Sequence, residues 1–210
     1  MTTIHDEKPR GGRMPRNARR AQLLESALEI FVAQGYHAAA MDDIAERAGV
    51  SKPVLYQHFP GKQELYLALL NYHSVELENL VKAAIASSAD NKARVFATVA
   101  AYYDFVAREG APFRLLFESD LANEPAVGDR LDSMFSRMAE AVAEAIAGDT
   151  ELSPQAAKLV GMALTGLAQV SARHWIGQDV VLAQADAAKV IGQLAWRGIG
   201  GFPSTHHAES

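Results

Sequence analysis

The chain has 210 residues, 49% of them hydrophobic, enough to bury a sizeable core and to form a small domain joined to a larger one. It carries 20 Lys and Arg against 25 Asp and Glu and no cysteine, which excludes disulfides and thiol catalysis and fits a reducing cytoplasm. No apolar run reaches the roughly 18 residues of a membrane span, and no apolar segment follows the charged start as in a signal peptide, so a cytoplasmic protein without membrane contact is expected.

The net charge of −5 is unevenly divided. Residues 1–62 hold nine Lys or Arg and seven Asp or Glu, a balance of +2, whereas residues 63–210 hold eleven and eighteen, a balance of −7. The first 15 residues set Lys8, Arg10 and Arg13 among Pro9, Gly11, Gly12 and Pro15, which reads as a flexible basic arm. Such an arm follows phosphates, reaches a minor groove, or merely solubilises the chain. Arg19 and Arg20 open the first helix and are candidate DNA contacts. Leu24, Ala27, Leu28 and Phe31 then recur at helical spacing until Gly35, where that helix is expected to stop.

The most informative stretch follows, Met41 to Lys62. Ile44, Ala45 and Ala48 give a short helix one apolar face, Gly49 supplies a positive-φ stop, and Ser51 stands where an N-cap would start the next helix. In that second helix Leu55 and Phe59, four apart, must turn inward, leaving Pro53, Val54 and Gln57 outward with Tyr56 and His58 on the flanks. An ordinary surface helix exposes Glu, Lys and Gln. Here Lys52 and Lys62 frame an outward set of Pro, Val and Tyr, and no acid occurs from Ser51 to Gln63. The pattern reads as a helix-turn-helix meeting duplex DNA. Lys52, Tyr56, His58 and Lys62 are the candidate phosphate contacts, and Pro53, Val54 and Gln57 the candidate base contacts, the first two against thymine methyls.

From about Arg20 to Leu70 the chain resembles the DNA-binding domain of the TetR (tetracycline repressor-like) family. The resemblance rests on Leu23, Leu24, Ala27, Leu28, Phe31, Gly35-Tyr36, Met41 to Ala45, Ala48 to Lys52, Leu55-Tyr56, His58-Phe59 and Lys62 to Leu65. The chain departs from the family at Ala40, where Thr or Ser is usual and its hydroxyl would cap the second helix and bond a phosphate.

Beyond the motif, helical periodicity continues. A connector helix is expected from Gln63 toward Ser87 or Ser88, with Leu65, Leu69, Tyr72, Glu76 and Leu80 along one side. Further helices are expected over Lys92 to Arg108, around Phe113 to Phe117, and over Pro125 to Ala147, Pro154 to Ile176 and Leu182 to Arg197. In the last two, small residues such as Gly161, Ala163, Gly166, Ala168 and Ala172 alternate with Leu and Val over more than one face. Such faces favour a dimeric four-helix bundle over packing inside one chain, and the resemblance implies the same pairing across a twofold axis. Between connector and bundle lies a bulky region; either it is plain core or, as the resemblance implies, it holds an inducer. Phe96, Tyr103, Phe113, Phe117, Met134 and Met138 are the candidate lining, with Arg173 and His174 as candidate anchors or interface residues.

No phosphate loop, HExxH or nucleophile elbow occurs, and the Gly198 to Gly201 stretch follows a helix rather than a strand. The seven histidines are dispersed. No catalytic residue, metal site or cofactor is therefore expected. The expectation is an all-α chain with a three-helix DNA-binding domain over 16–62, a helical effector-binding and dimerisation domain over 63–202, and a polar tail over 203–210. Its partners would be a palindromic duplex operator, a small-molecule effector and a second copy of itself, and its action that of a repressor released by the effector. Control by a protein partner is one alternative; a helical ligand-binding or catalytic bundle with a vestigial DNA module is another.

Overall fold

The computed structural model describes residues 14–108, 121, 124–177 and 181–199, and these form eight α-helices with no strand among them. They are α1 (Arg16–Ala38), α2 (Met41–Arg47), α3 (Lys52–His58), α4 (Lys62–Ile85), α5 (Asn91–Ala107), α6 (Pro125–Asp149), α7 (Pro154–Gly177) and α8 (Gln184–Ile199). The expected arm up to Arg13, the helix around Phe113 to Phe117 and the tail lie outside the described residues. Among the described residues no helix is long and apolar enough to cross a membrane.

The first three helices close around residues that the periodicity marked. Leu23, Leu24, Ala27 and Phe31 of α1 meet Met41, Ile44 and Ala45 of α2 and Leu55 of α3, all buried. Gly49 has φ 62° in the turn between α2 and α3, and nothing lies within 4 Å of the Cβ it lacks. Backbone conformation, not space, is what requires glycine there. Gly35 does not end α1 as expected: it bends it, at φ 76° and ψ 163°, and a last turn runs on to Ala38. Ser51 occupies the N-cap of α3, yet its hydroxyl makes no capping bond. The second helical residue, Pro53, has no N–H to give, and the third, Val54, donates its own to the Ser51 carbonyl at 3.0 Å.

α4 leaves this unit and enters the larger one. It buries Leu65, Tyr66, Leu69, Leu70, His73, Ser74, Leu77, Glu78 and Val81. Tyr72, expected to share one side with Leu65 and Leu69, is 53% exposed, because the buried stripe advances through His73 and Ser74 instead. Around α4, α5 packs along α8, and α6 lies along α7 and against α4. At Gly161 the backbones of α7 and α6 come close, since a Cβ there would lie 2.5 Å from the Ala139 carbonyl and 3.1 Å from the Ala143 Cβ. Close packing, not φ, requires this glycine.

That contact divides the small-residue stripe into two faces. Ala157, Gly161, Thr165, Ala168 and Ala172 turn inward. Leu159, Met162 and Val170 stay exposed, as do Val190 and Leu194 on α8. Gly161, Ala168 and Ala172, expected at an interface between chains, are spent inside the protomer; the uncovered face is formed by the larger residues between them.

Candidate functional site

At the end of the molecule formed by α1–α3, the outward side of α3 is built as the spacing predicts. Leu55 and Phe59 are buried, Lys52, Pro53, Tyr56 and Gln57 are exposed, and Val54 and His58 are partly covered. Several cations around this face already hold protein groups. Lys52 pairs with Asp42 at 2.5 Å, tying the start of α3 to the start of α2, and this carboxylate holds the ammonium above the usual lysine range. Both groups are well exposed, so a phosphate competes with Asp42 on favourable terms. The Arg20 guanidinium lies 4.3 Å over the Phe59 ring and donates to the His58 carbonyl at 3.4 Å, closing the C-terminal end of α3. Arg19 donates to Gln22 at 2.6 Å, and Gln22 donates to the Ala48 carbonyl at 3.0 Å, which fixes the turn from behind.

His58 sits within this basic group. Its imidazole is held below the ordinary histidine value, first by burial and then by Arg16, Arg20 and Arg19. It offers a neutral hydrogen-bonding group in a field of three cations. Arg16, the first residue of α1, thus belongs to the same positive cluster. Lys62 differs from the rest: its ammonium donates to the carbonyls of Tyr36, His37 and Ala39 at 2.8, 3.2 and 2.9 Å. Expected at a phosphate, it is committed to the backbone of its own chain. At Ala40 the missing hydroxyl leaves α2 without a side-chain cap, and Asp42 and Asp43 in its first turn supply the negative charge that suits a helix start.

At the far end of α4 the larger helical unit encloses a cavity of about 340 Å³. Val81 and Ile85 come from α4, Val95, Thr98, Val99 and Tyr102 from α5, Met138, Val142 and Ile146 from α6, Leu164, Thr165 and Ala168 from α7, and Ile191, Ala195 and Trp196 from α8. Polar groups gather where α5 begins and α6 ends. There Arg94 bonds both Asn91 and Asp149, and all three border the space. Tyr102 Oη is buried with no hydrogen-bond partner among the described residues, and burial pushes its phenol well up, so that it remains a donor.

Of Phe96, Tyr103, Met134, Met138, Arg173 and His174, the candidate lining and anchors that are described, Met138 alone borders this cavity. Phe96 packs its ring against the backbone of Gly192, where a Cβ would lie 3.0 Å away. Tyr103 is buried, with its hydroxyl 2.9 Å from Ser171 Oγ and its ring 5.6 Å from Trp175. Met134 is fully buried core. Arg173 and His174 are exposed, since Ala168 and Ala172 take the inward side of α7 and carry the next two residues away from the cavity. Phe113 and Phe117 lie outside the described residues. The sequence missed most of the wall of α5, although Asn91, Arg94, Val95, Thr98 and Val99 follow helical spacing. Bulk attracted attention to Phe96 and Tyr103, and bulky side chains fill space instead of enclosing it.

Comparison with known proteins agrees with this anatomy. Residues 23–69 match the family model described as bacterial regulatory proteins, tetR family. The chain is 42% identical to the HTH-type transcriptional activator FasR of Mycolicibacterium smegmatis over 196 residues, covering 93% of this chain and 90% of that protein. A TetR-like transcriptional regulator from Rhodococcus sp. RHA1 superposes with a TM-score of 0.71 at 26% identity, covering 90% of this chain and all of that one. The transcriptional regulator FadR from Bacillus subtilis, solved in complex with stearoyl-CoA, shares the fold with a TM-score of 0.68 at 17% identity over 83% of this chain and 96% of that one.

Proposed function

The chain belongs to the tetR family of bacterial regulatory proteins and is a DNA-binding transcriptional regulator, not an enzyme; from that premise we propose that it grips a palindromic operator as a homodimer and answers to a small amphipathic molecule. The observation that carries the reading is the reach of α4, which starts beside α3 and ends with Val81 and Ile85 in the cavity wall. A ligand that changes the lie of its last turns changes the placement of the DNA-binding helices at its first.

The bases meet Pro53, Val54 and Gln57, while Lys52, Tyr56, His58, Arg19 and Arg20 follow the phosphates with Arg16. The second copy covers the uncovered face of α7 and α8, where Leu159, Met162, Val170, Val190 and Leu194 lie open. Two recognition helices related by a twofold axis then address half-sites about 34 to 36 Å apart. The ligand presents an apolar chain to Val81, Val99, Val142, Leu164 and Ile191 and a polar head toward Asn91, Arg94 and Asp149. A molecule of the stearoyl-CoA type, as seen with Bacillus subtilis FadR, has that division of character.

Repression is what the family resemblance alone implied. FasR of Mycolicibacterium smegmatis, which matches nearly the whole chain, is named an activator, and we assign activation here. The fold does not encode this sign, which depends on where the operator lies relative to the promoter. Mapping bound sites across the genome and transcribing the neighbouring promoters with and without the protein tests it: transcript should rise, and a fall makes the protein a repressor. Calorimetric titration with stearoyl-CoA tests the cavity. Binding that disappears in Ala168→Trp, with dimer and DNA binding intact, supports the assignment; equal binding by parent and variant places the ligand elsewhere.

A further inference from the structure

The start of α4 holds an arrangement that DNA contact does not explain. Lys62 Nζ stands 2.8 Å from the Tyr36 carbonyl, 3.2 Å from that of His37 and 2.9 Å from that of Ala39. An ammonium has three donors and no acceptor, so three carbonyls exhaust it. They belong to the last turn of α1 and the link to α2, beyond the bend at Gly35, where helix-end carbonyls lack intrahelical partners. The same ammonium lies 4.6 Å over the Tyr36 ring. That ring packs against Phe31 at 5.8 Å and Tyr66 of α4 at 5.1 Å. Its phenol is raised first by burial and then by the carboxylates of Glu64 and of Glu124, the residue before α6. Two parts of the molecule meet at this point, the end of α1 and the start of α4.

We propose that Lys62 is the latch of this joint, a positioning residue that fixes the angle between the DNA-binding helices and α4 and makes no phosphate contact. Each of its bonds crosses between the two units, so α4 cannot swing at its start without stretching them. A tilt arising near Val81, about 30 Å along the helix axis, then moves α1–α3 as one body. The DNA-binding character of the family suffices for this proposal, which needs no effector to be identified.

Because the chain contains no cysteine, spin labels can be placed specifically at the exposed positions Glu46 on α2 and Lys82 on α4 through paired cysteine substitutions. Pulsed electron paramagnetic resonance on the full chain, diluted with unlabelled protein, should give a narrow distance distribution. Lys62→Met should broaden it, and Lys62→Arg, which keeps donors at that place, should narrow it again. On a random-sequence 30-base-pair duplex, the slope of log affinity against log salt should be the same for Lys62→Met and the parent. A slope smaller by about 1 marks a lost phosphate contact and overturns the proposal, and so does an unchanged distribution in Lys62→Met. If Lys62→Met fails to fold, Tyr36→Leu carries the test. It removes the ring beneath the ammonium and should broaden the distribution at constant slope, and a distribution as narrow as the parent's overturns the proposal.

Discussion

Among the described residues, the outward face of α3 and the outward face of α7 and α8 both lie largely open, yet they are made of different materials. On α3 four exposed residues, Lys52, Pro53, Tyr56 and Gln57, lie beside Arg16, Arg19 and Arg20, with no acid from Ser51 to Gln63. On α7 and α8 the uncovered residues are aliphatic, up to 73% exposed at Leu159 and 68% at Val170. A surface framed by cations is held to a polyanion by interactions that salt weakens. An aliphatic surface is held to its like by burial, which salt leaves intact or strengthens. The two faces should therefore respond oppositely to ionic strength, with DNA released while the dimer persists.

The largest expected effect breaks the second face. Val170→Asp leaves the isolated protomer undisturbed but buries a charge twice across the twofold axis, at about 3 kcal/mol or more per copy. Sedimentation velocity should show monomers, and operator affinity should collapse with them. A dimer of undiminished stability would remove α7 from the interface.

Next comes the scaffold between the faces. Arg137 donates to Glu78 of α4 through Nε at 2.8 Å and Nη2 at 2.5 Å, with the Glu78 side chain buried and the Arg137 side chain 40% exposed. Arg137→Ala strands a buried carboxylate and should cost roughly 2 to 3 kcal/mol, discounted from a fully buried pair because of that exposure. Glu78→Gln strands only a cation with access to water and should cost less. Thermal unfolding of the two variants checks the order, and the reverse order would mean that Glu78 is not the sensitive partner.

A smaller effect sharpens the first face. Val54→Ser should lose about 1 to 2 kcal/mol at one operator position and relax preference there, because a methyl contact to thymine is replaced by a hydroxyl. Equal weakening on operator and random duplex would assign Val54 a general role instead.

The smallest effect is a pH dependence between the faces. His73 is held below the ordinary histidine value by burial, which outweighs the opposing pull of Glu76, 3.2 Å away and itself paired with Arg108. The folded state then binds this proton less readily than the unfolded chain. Its contribution is neutral above the ordinary histidine value, and stability is lost as pH falls from there through the lowered value. Replacing it by His73→Gln should flatten the slope of stability against pH in that window, and an unchanged slope would place the titrating group elsewhere.

The helix-turn-helix was legible because its information is local. Leu55, Phe59, Gly49 and the acid-free stretch are set by short spacings and by backbone conformation, so outward and inward residues follow directly. The long helices were legible to within a residue or two at most ends, for the same reason. What spacing cannot give is which of several apolar faces meets which neighbour. Gly161 and Ala168 looked like Gly166, but the first two pack within the chain and no atom lies within 4 Å of the Cβ that Gly166 lacks. Likewise Tyr102 and Tyr103 are adjacent in sequence, yet a rotation of about 100° puts the first at the cavity and the second against Ser171. At Lys62 a sequence shows the charge but not the three carbonyls that the ammonium meets.

Reciprocal coupling between the two ends tests the account most directly. Stearoyl-CoA is titrated into the dimer alone and into the dimer saturated with the operator found by site mapping, and operator is titrated with and without saturating stearoyl-CoA. If α4 joins the cavity to α3, the two titrations shift by the same factor, between about 5-fold and 150-fold, whichever direction the regulation takes. Ligand affinity that is identical with and without operator would contradict the coupling and leave a DNA-binding dimer with an unconnected cavity.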